Sequence, residues 1–238
     1  MKARLLAIDT TTEFGSLALV TGGEVVEEVL LHASDGFGHV LYPQLERLLS
    51  RHDWKLTGID CFAGGSGPGS FTGIRVGLAA IKGLAEALGK PAVAVSNLQA
   101  LAFHGSAALR ATVLDARRGE IYCAVYSALL DPVLPEVVTK FPAWLAMLPE
   151  GELEFVGTDF EPFRPALAGT RFEHTRVTQA PRALAGAMGL IAARRFSAGL
   201  AQAPAEIDAN YVRRSDAELF WNDTWRGQPA CFRDRSGG

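Results

Sequence analysis

The feature that most constrains the fold is an internal repeat of an apolar strand, an Asp, a polar turn with a glycine and a second apolar strand. It reads LLAIDTTTEFGSLALV in the first half of the chain and ATVLDARRGEIYCAVY in the second, with Asp9 and Asp115 in equivalent positions. Each copy predicts a β-hairpin, because apolar runs bounded by turn residues are typical of paired strands. The repeat predicts a fold built from two similar units.

The residues after each hairpin follow a common order of strand, helix, strand and helix. In the first half these are EVVEEVLLHA, VLYPQLERLLSRH, IDCFAGG and a helix from Thr72 to Leu88. In the second half they are LPEVVTK, PAWLAML, LEFVGTD and a helix from Arg182 to Ala198. This alternation predicts an α/β fold with two mixed sheets. We therefore divide the chain into an N-terminal subdomain, residues 1–106, and a C-terminal subdomain, residues 107–238, which ends in a surface tail.

Charge and cysteine content limit the classes of function. A formal net charge of -3 gives no global basic field, which argues against an autonomous nucleic-acid binder. Cys61, Cys123 and Cys231 are few and widely spaced, as expected of reduced thiols in a cytoplasmic protein. No stretch predicts a signal peptide or a membrane span, so we expect no membrane partner.

The loop GGSGPGSFTGIRVG, from Gly64 to Gly77, does not match either common nucleotide signature. A Walker loop requires Lys and then Ser or Thr after its last glycine, whereas Gly73 is followed by Ile74 and Arg75. A dinucleotide fingerprint would follow the first strand, and this loop follows a later one.

Two interpretations of this loop remain open. It can bind an anion through backbone amides at the start of the following helix, with Ser70 or Thr72 as the N-cap. Alternatively, Gly67, Pro68 and Gly69 form a tight turn with no ligand.

The helix that follows the loop, TGIRVGLAAIKGLAEAL, is apolar or small in almost every direction. Its charged residues, Arg75, Lys82 and Glu86, fall in one narrow stripe. Such a helix is either buried on all sides or contacts a partner. The small residues that would allow another helix to approach closely are Gly73, Gly77, Ala80, Gly83 and Ala87.

The Asp at the end of the first strand, the glycine-bearing turn and the doubled unit together resemble the ASKHA fold of actin, sugar kinases and heat-shock proteins. That fold has two RNase H-like subdomains and holds a nucleotide in the cleft between them. The matching candidates here are Asp9, Thr10, Thr11, Gly67, Gly69 and Ser70. Thr11 stands where that class has a glycine, which argues against independent nucleotide hydrolysis. Asp9 and Asp115 either cap their turns or keep a vestigial magnesium role.

Three segments carry a closer resemblance: LLAIDTTTEFGSLALV, LDARRGEIYCAVY and the stretch GGSGPGSFTGIRVGLAAIKGLAEALGKPAVAVSNLQALA. Together they resemble the TsaB (YeaZ) family of bacterial tRNA threonylcarbamoyladenosine biosynthesis subunits. The match is dense up to Tyr126, and APAEIDANYVRR resembles the late segment of the family. The resemblance implies a non-catalytic relative of the threonylcarbamoyltransferase TsaD, with which it forms a heterodimer. With the nucleotide-hydrolysing TsaE, the pair transfers a threonylcarbamoyl group from its adenylate to the adenosine beside the anticodon of tRNA.

The same resemblance implies that this chain has no metal site and no catalytic residue. The catalytic relative carries two metal-binding His residues, four positions apart, where this chain has Asn97 and Leu101. The remaining His residues show no helical pair spacing. Ser66 and Ser70 also lack the nucleophile-elbow pattern. We therefore expect no cofactor in the chain by itself, with ATP and magnesium at or near the partner interface, and only indirect contact with tRNA.

The resemblance places the pairing surface on the helix around Val40–Leu49 and the helix Gly73–Leu88. The predicted interface residues are Leu41, Tyr42, Leu45, Gly73, Arg75, Val76, Gly77 and Ala80. Two alternatives stay open: a homodimer through the same helices, and an autonomous phosphotransferase or ATPase that uses Asp9 and the glycine loop. Two arginine pairs, at 117–118 and 213–214, either contact phosphate or are simply solvated.

Overall fold

The computed structural model describes residues 2–33 and 35–213. Cys231, Arg214 and the predicted surface tail lie outside the described residues. The elements of the first half are β1 (Arg4–Asp9), β2 (Phe14–Thr21), β3 (Glu24–His32), α1 (Leu41–Arg51), β4 (Cys61–Gly67), α2 (Phe71–Leu88), β5 (Ala92–Ser96) and α3 (Asn97–Ala102). Those of the second half are β6 (Leu109–Asp115), β7 (Ile121–Ser127), β8 (Pro132–Thr139), α4 (Phe141–Leu145), β9 (Leu153–Gly157), β10 (Val177–Gln179) and α5 (Ala185–Ser197).

The predicted order of elements is confirmed, and the structure adds β5, α3 and β10 to it. The segment PAVAVSNLQALA divides into a strand and a helix at Ser96, whose side chain accepts hydrogen bonds from the backbone N–H groups of Leu98 and Gln99 at 3.1 and 3.4 Å. This is an N-cap, which ends the strand and begins the helix within one residue.

Each half forms one five-stranded mixed sheet, so the duplicated α/β architecture predicted from the repeat is confirmed. The strand orders are β3-β2-β1-β4-β5 and β10-β9-β6-β7-β8. In both sheets a hairpin lies beside parallel strands: β1 pairs antiparallel with β2 and parallel with β4, and β6 does the same with β7 and β9. Asp9 pairs with Ser16 at the end of β1, next to the register pair Ile8 and Gly64.

The two halves exchange helices. Helices α1 and α2 cover one face of the first sheet, and α5, which belongs to the second half of the chain, packs against β1, β2, β3, β4 and β5 of that sheet. Helix α3, from the first half, packs against β6 and β7 of the second sheet. One buried cluster therefore contains Ala7 and Val20 of the first sheet together with Ala124 and Val156 of the second. The boundary near residue 106 separates the sheets along the sequence but not their shared core.

Residues of the first sheet cap the start of α5. The Ser16 hydroxyl accepts hydrogen bonds from the backbone N–H groups of Leu184 and Ala185 at 3.1 and 2.9 Å. Glu28 accepts a third, from Gly186 N–H at 2.7 Å. Burial raises the pKa of the Glu28 carboxyl, because it disfavours the charged form. Free N–H groups at a helix start need acceptors, and here those acceptors join the two halves.

The second sheet has its own apolar core on the opposite face. Trp144 is fully buried there, with Phe141, Phe155 and Phe160 around it. Among the described residues, no helix combines the length and apolar character needed to cross a bilayer.

Helix α2 is capped at its start by Ser70, whose hydroxyl accepts a hydrogen bond from Gly73 N–H at 3.3 Å. At its end the cap is Gly89, which has a left-handed φ of 61°. Its small residues divide into two groups. A Cβ on Gly77 would lie 2.6 Å from Thr10 Oγ1, so this glycine is required for the contact between α2 and the loop after β1. Gly83 is exposed, and a Cβ there would meet no atom within 4 Å.

Substitution of these two glycines by Ala should have opposite effects. We expect Gly83→Ala to raise the free energy of unfolding by about 0.5–1 kcal/mol, since it removes the backbone entropy cost of glycine in a helix. Gly77→Ala should lower it by about 1–3 kcal/mol, since the added methyl overpacks a buried contact. Urea unfolding of both variants near neutral pH measures the difference, and equal effects would contradict the packing described here.

Candidate functional site

Asp9 and Asp115 each form a turn at the end of the first strand of their sheet. Asp9 Oδ1 accepts hydrogen bonds from Thr11 N–H at 3.0 Å and from Thr11 Oγ1 at 2.6 Å. Asp115 Oδ1 accepts one from Arg117 N–H at 2.7 Å. These are the local bonds by which Asp stabilises a turn, so both residues cap their turns, which is one of the two interpretations left open above.

The region around Asp9 is closed. Asp9 is fully buried, its Oδ2 atom has no hydrogen-bond partner, and burial raises the pKa of its carboxyl despite the hydrogen bonds from Thr11. Thr10 and Thr11 are each only 1% exposed, and Thr10 Oγ1 donates a hydrogen bond to Gly73 O at 2.7 Å. Helix α5 contributes to this closure, since a Cβ on Gly65 would lie 3.1 Å from Met188 Cε. A phosphate group therefore has no access to these side chains in this conformation.

The glycine loop uses its own backbone groups inside the protein. Gly67 N–H donates to Asn97 Oδ1 at 3.1 Å, and Ser70 N–H donates to Thr11 O at 2.6 Å. These bonds favour the tight-turn interpretation over anion binding. Of the predicted nucleotide-binding set, Gly69 and Ser70 reach the surface, whereas Asp9, Thr10, Thr11 and Gly67 are buried.

Asn97 and Leu101 occupy the place that the resemblance assigns to the metal ligands of the catalytic relative. Both are fully buried. Asn97 Nδ2 donates to Thr11 Oγ1, and Leu101 lies in the core that the two halves share. Within residues 2–33 and 35–213, no group of His, Cys, Asp and Glu side chains is arranged to hold a metal ion. Internal hydrogen bonds and apolar packing thus fill this place.

An open cleft lies beside this closed region, with a volume of about 670 Å³. We call it the arginine cleft, because it brings together Arg75, Arg117, Arg118 and Arg213. The residues that line it are Pro68, Gly69, Phe71, Ile74, Arg75, Ala116, Arg117, Arg118, Tyr122, Asn210, Tyr211, Val212 and Arg213. Sequence reasoning singled out the arginine pairs but missed the cleft, since the segments that form it are far apart in the chain.

Residues 210–213 form the C-terminal segment of the cleft, and Asn210 holds this segment in place. Its backbone N–H donates to Ser66 O at 2.8 Å, and its side-chain Nδ2 donates to Glu136 Oε2 at 2.5 Å. Ser96 and Tyr126 also donate hydrogen bonds to Glu136. This cluster of polar groups ties the segment to both halves and so positions Tyr211 and Arg213 at the cleft.

Two of the cleft arginines are fixed by neighbouring aromatic and polar groups. The Arg75 guanidinium lies 3.6 Å from the centre of the Phe71 ring, and its Nε donates to Tyr211 Oη at 3.2 Å. Arg213 donates to Ala116 O at 2.8 Å and pairs with Glu120. Both side chains are therefore held in defined positions by groups of this chain.

The turn between β6 and β7 presents the other two arginines. Arg117 and Arg118 have φ values of 63° and 58°, in the left-handed region that side chains other than Gly, Asn and Asp rarely adopt. The Arg117 side chain is 80% exposed, and its Nη1 lies 4.0 Å from Asp115 Oδ2. Such a conformation costs about 1 kcal/mol or more for each residue, and a glycine would adopt it at lower cost.

The predicted interface residues on α1 and α2 divide into buried and exposed positions. Five of them are buried in the core of this chain, because the two helices pack on the first sheet through those positions; they are Leu41, Leu45, Gly73, Gly77 and Ala80. Tyr42 is 53% exposed, Arg75 is exposed and Val76 is half-buried. The other exposed residues of α2 are Phe71, Thr72, Ala79, Gly83, Glu86 and Ala87.

Comparison with known proteins places the chain in a family. A family model described as "TsaD: tRNA N6-adenosine threonylcarbamoyltransferase" matches residues 31–217. The tRNA threonylcarbamoyladenosine biosynthesis protein TsaB of Bacillus subtilis is 33% identical over 65% of this chain and 71% of the relative. The chain spans about half the length of two other curated TsaB relatives.

Solved structures agree with this relationship. YeaZ from Pseudomonas aeruginosa has a TM-score of 0.73 and 26% identity, over 88% of this chain and 99% of that chain. Component A of the (R)-2-hydroxyglutaryl-CoA dehydratase of Acidaminococcus fermentans, with a TM-score of 0.51 and 10% identity, shares the fold alone. The ASKHA fold predicted from the doubled hairpin is thus confirmed. The chain belongs to the TsaD protein family, in its TsaB (YeaZ) group, and takes part in the biosynthesis of tRNA threonylcarbamoyladenosine.

Proposed function

We propose that this chain is a non-catalytic subunit that pairs with a TsaD threonylcarbamoyltransferase and supports the transfer of threonylcarbamoyl to the adenosine next to the anticodon of tRNA. The observation that carries the proposal is the filled site around Asn97 and Leu101. Where the catalytic relative has metal-binding His residues, this chain has a buried amide bonded to Thr11 and a buried Leu. Neither side chain can supply the chemistry of a metal-binding His pair.

The exposed face of α2 supports pairing as the function that remains. Ala79, Gly83 and Ala87 leave the backbone of an 18-residue helix open to close approach by another helix. Tyr42 on α1, 53% exposed, adds a large aromatic surface of the kind that is enriched at protein interfaces. We propose that TsaD contacts this surface, that TsaE joins through the complex, and that ATP and magnesium act at or near the partner interface rather than in this chain alone.

The rival function is an autonomous phosphotransferase or ATPase centred on Asp9. It requires the Asp9 carboxylate to meet a magnesium ion or a phosphate, and the buried position of that carboxylate argues against it. A homodimer through the same helices is the second rival, and it uses the surface that we assign to TsaD.

Asp9→Asn tests the phosphotransferase function. Burial raises the folded-state pKa of the Asp9 carboxyl above its ordinary value, so the folded chain binds this proton more tightly than the unfolded chain. The ionised carboxylate therefore lowers the free energy of unfolding as the pH rises through the folded-state pKa.

We expect Asp9→Asn to be at least as stable as the wild type at neutral pH and to show a flatter pH dependence in thermal unfolding. It should also support threonylcarbamoyl transfer when mixed with TsaD and TsaE. Magnesium-dependent ATP turnover by the wild-type chain alone, lost in Asp9→Asn, would establish the rival instead.

Ala79→Glu tests the pairing surface. A charge buried in an interface without a partner costs about 3 kcal/mol, which weakens pairing with TsaD by about 100-fold. Ala143→Glu is the matched control, since Ala143 is an exposed Ala on α4 of the other half. Size-exclusion chromatography of each variant mixed with TsaD, with and without ATP, measures the effect and separates a heterodimer from a homodimer. Both variants should keep the wild-type melting temperature, and pairing that survives Ala79→Glu would move the interface away from α2.

A further inference from the structure

We propose that residues 219–225 of this chain, LFWNDTW, dock in the arginine cleft and pack against its exposed aromatic rings. We call these residues the tryptophan segment. They lie outside the described residues, and the described chain ends at the cleft itself. The inference does not depend on the proposed pairing with TsaD, because it concerns a contact within one chain.

The first argument is the aromatic surface of the cleft. Phe71 and Tyr211 are 41% and 45% exposed, and their ring centres lie 5.4 Å apart. The Arg75 guanidinium stacks on the Phe71 ring and its Nε donates to Tyr211 Oη, so this arginine fixes both rings. Two large exposed rings beside a cleft of about 670 Å³ are typical of a contact surface. The cleft therefore offers an occupant aromatic contacts.

The second argument is the place where the described chain ends. Asn210 and Arg213 both line the cleft, and both are fixed there by bonds to Ser66 O and Ala116 O. The tryptophan segment begins six positions after Arg213. An extended chain of that length spans at most about 20 Å, which is enough to return across the cleft. A tether this short gives an effective concentration in the mM range, so weak contacts suffice to hold the segment.

The third argument is the composition of the tryptophan segment. Four of its seven residues are large and apolar, and they include Trp221 and Trp225, two of the four tryptophans in the chain. Segments that stay in water are poor in aromatic residues, because such rings gain free energy when they leave water. Aromatic rings also favour offset or edge-on contacts with one another. Phe71 and Tyr211 offer such contacts close to the start of the segment.

The test uses the full chain labelled with 5-fluorotryptophan and observed by ¹⁹F NMR. Trp221→Phe and Trp225→Phe assign the two resonances of the segment. We expect both to lie away from their positions in the urea-unfolded chain. Phe71→Ala removes one ring of the cleft, so it should move the Trp221 or the Trp225 resonance back toward the unfolded position. Unchanged Trp54 and Trp144 resonances show that the variant is folded.

Met147→Ala is the matched control. Met147 is a large apolar side chain that is 54% exposed and does not line the cleft. This variant should leave all four resonances unchanged.

A double-mutant cycle gives a second measurement. Phe71→Ala and the paired changes Trp221→Ser and Trp225→Ser should each lower the melting temperature. Together they should lower it by less than the sum, because both remove the same contact.

Several results would overturn the inference. One is a pair of segment resonances that coincide with those of the urea-unfolded chain, or that Phe71→Ala leaves unchanged. Another is an additive cycle of melting temperatures. Segment resonances that shift on dilution of the protein would place the segment in the cleft of a second copy. Resonances that leave the unfolded position only when TsaD is added would make the partner its docking surface.

Discussion

The packing of α5 against the first sheet is the interaction on which the rest of the structure depends. Three backbone N–H groups at the start of this helix bond to Ser16 and Glu28, which lie far away in the sequence. A Cβ on Gly189 would lie 2.6 Å from Val20 Cγ2, so glycine is required where helix and sheet meet. Because α3 crosses in the opposite direction, each sheet is completed by a helix from the other half, and the two halves form one cooperative unit.

The same packing explains why this chain has no open site at Asp9. Helix α5 places Met188 over the glycine-rich strand, and Asn97 at the start of α3 bonds to the loop that would meet a phosphate. The exposed features that remain are the cleft lined by Arg75, Arg117 and Arg213 and the small-residue face of α2. The region around Asp9 is thus part of the core of this chain, and we propose that the function lies on its exposed surfaces.

Much of the fold could be predicted from the sequence, because its signals are local. The hairpins, the order of strands and helices, and the turn-capping Asp9 and Asp115 all follow from residues close together in the chain. Three features could not be predicted, since they depend on contacts between distant segments. These are the exchange of α3 and α5, the assembly of the arginine cleft and the orientation of α2. The sequence of α2 is apolar or small in almost every direction, so it did not indicate which of its small residues face Thr10. Strand β10 was missed for another reason, because three residues are too few to show a period.

The late position of α5 in the described chain also affects how the nascent chain folds during synthesis. The ribosome produces the first sheet before residue 100, yet the face that carries Ala7 and Val20 receives its covering helix only when residues 185–197 emerge. During that interval an apolar sheet surface stays exposed to the cell, a state that favours aggregation and binding by chaperones. A nascent chain interrupted after the first sheet would therefore not yield a smaller version of the fold, but an incomplete one with an uncovered face.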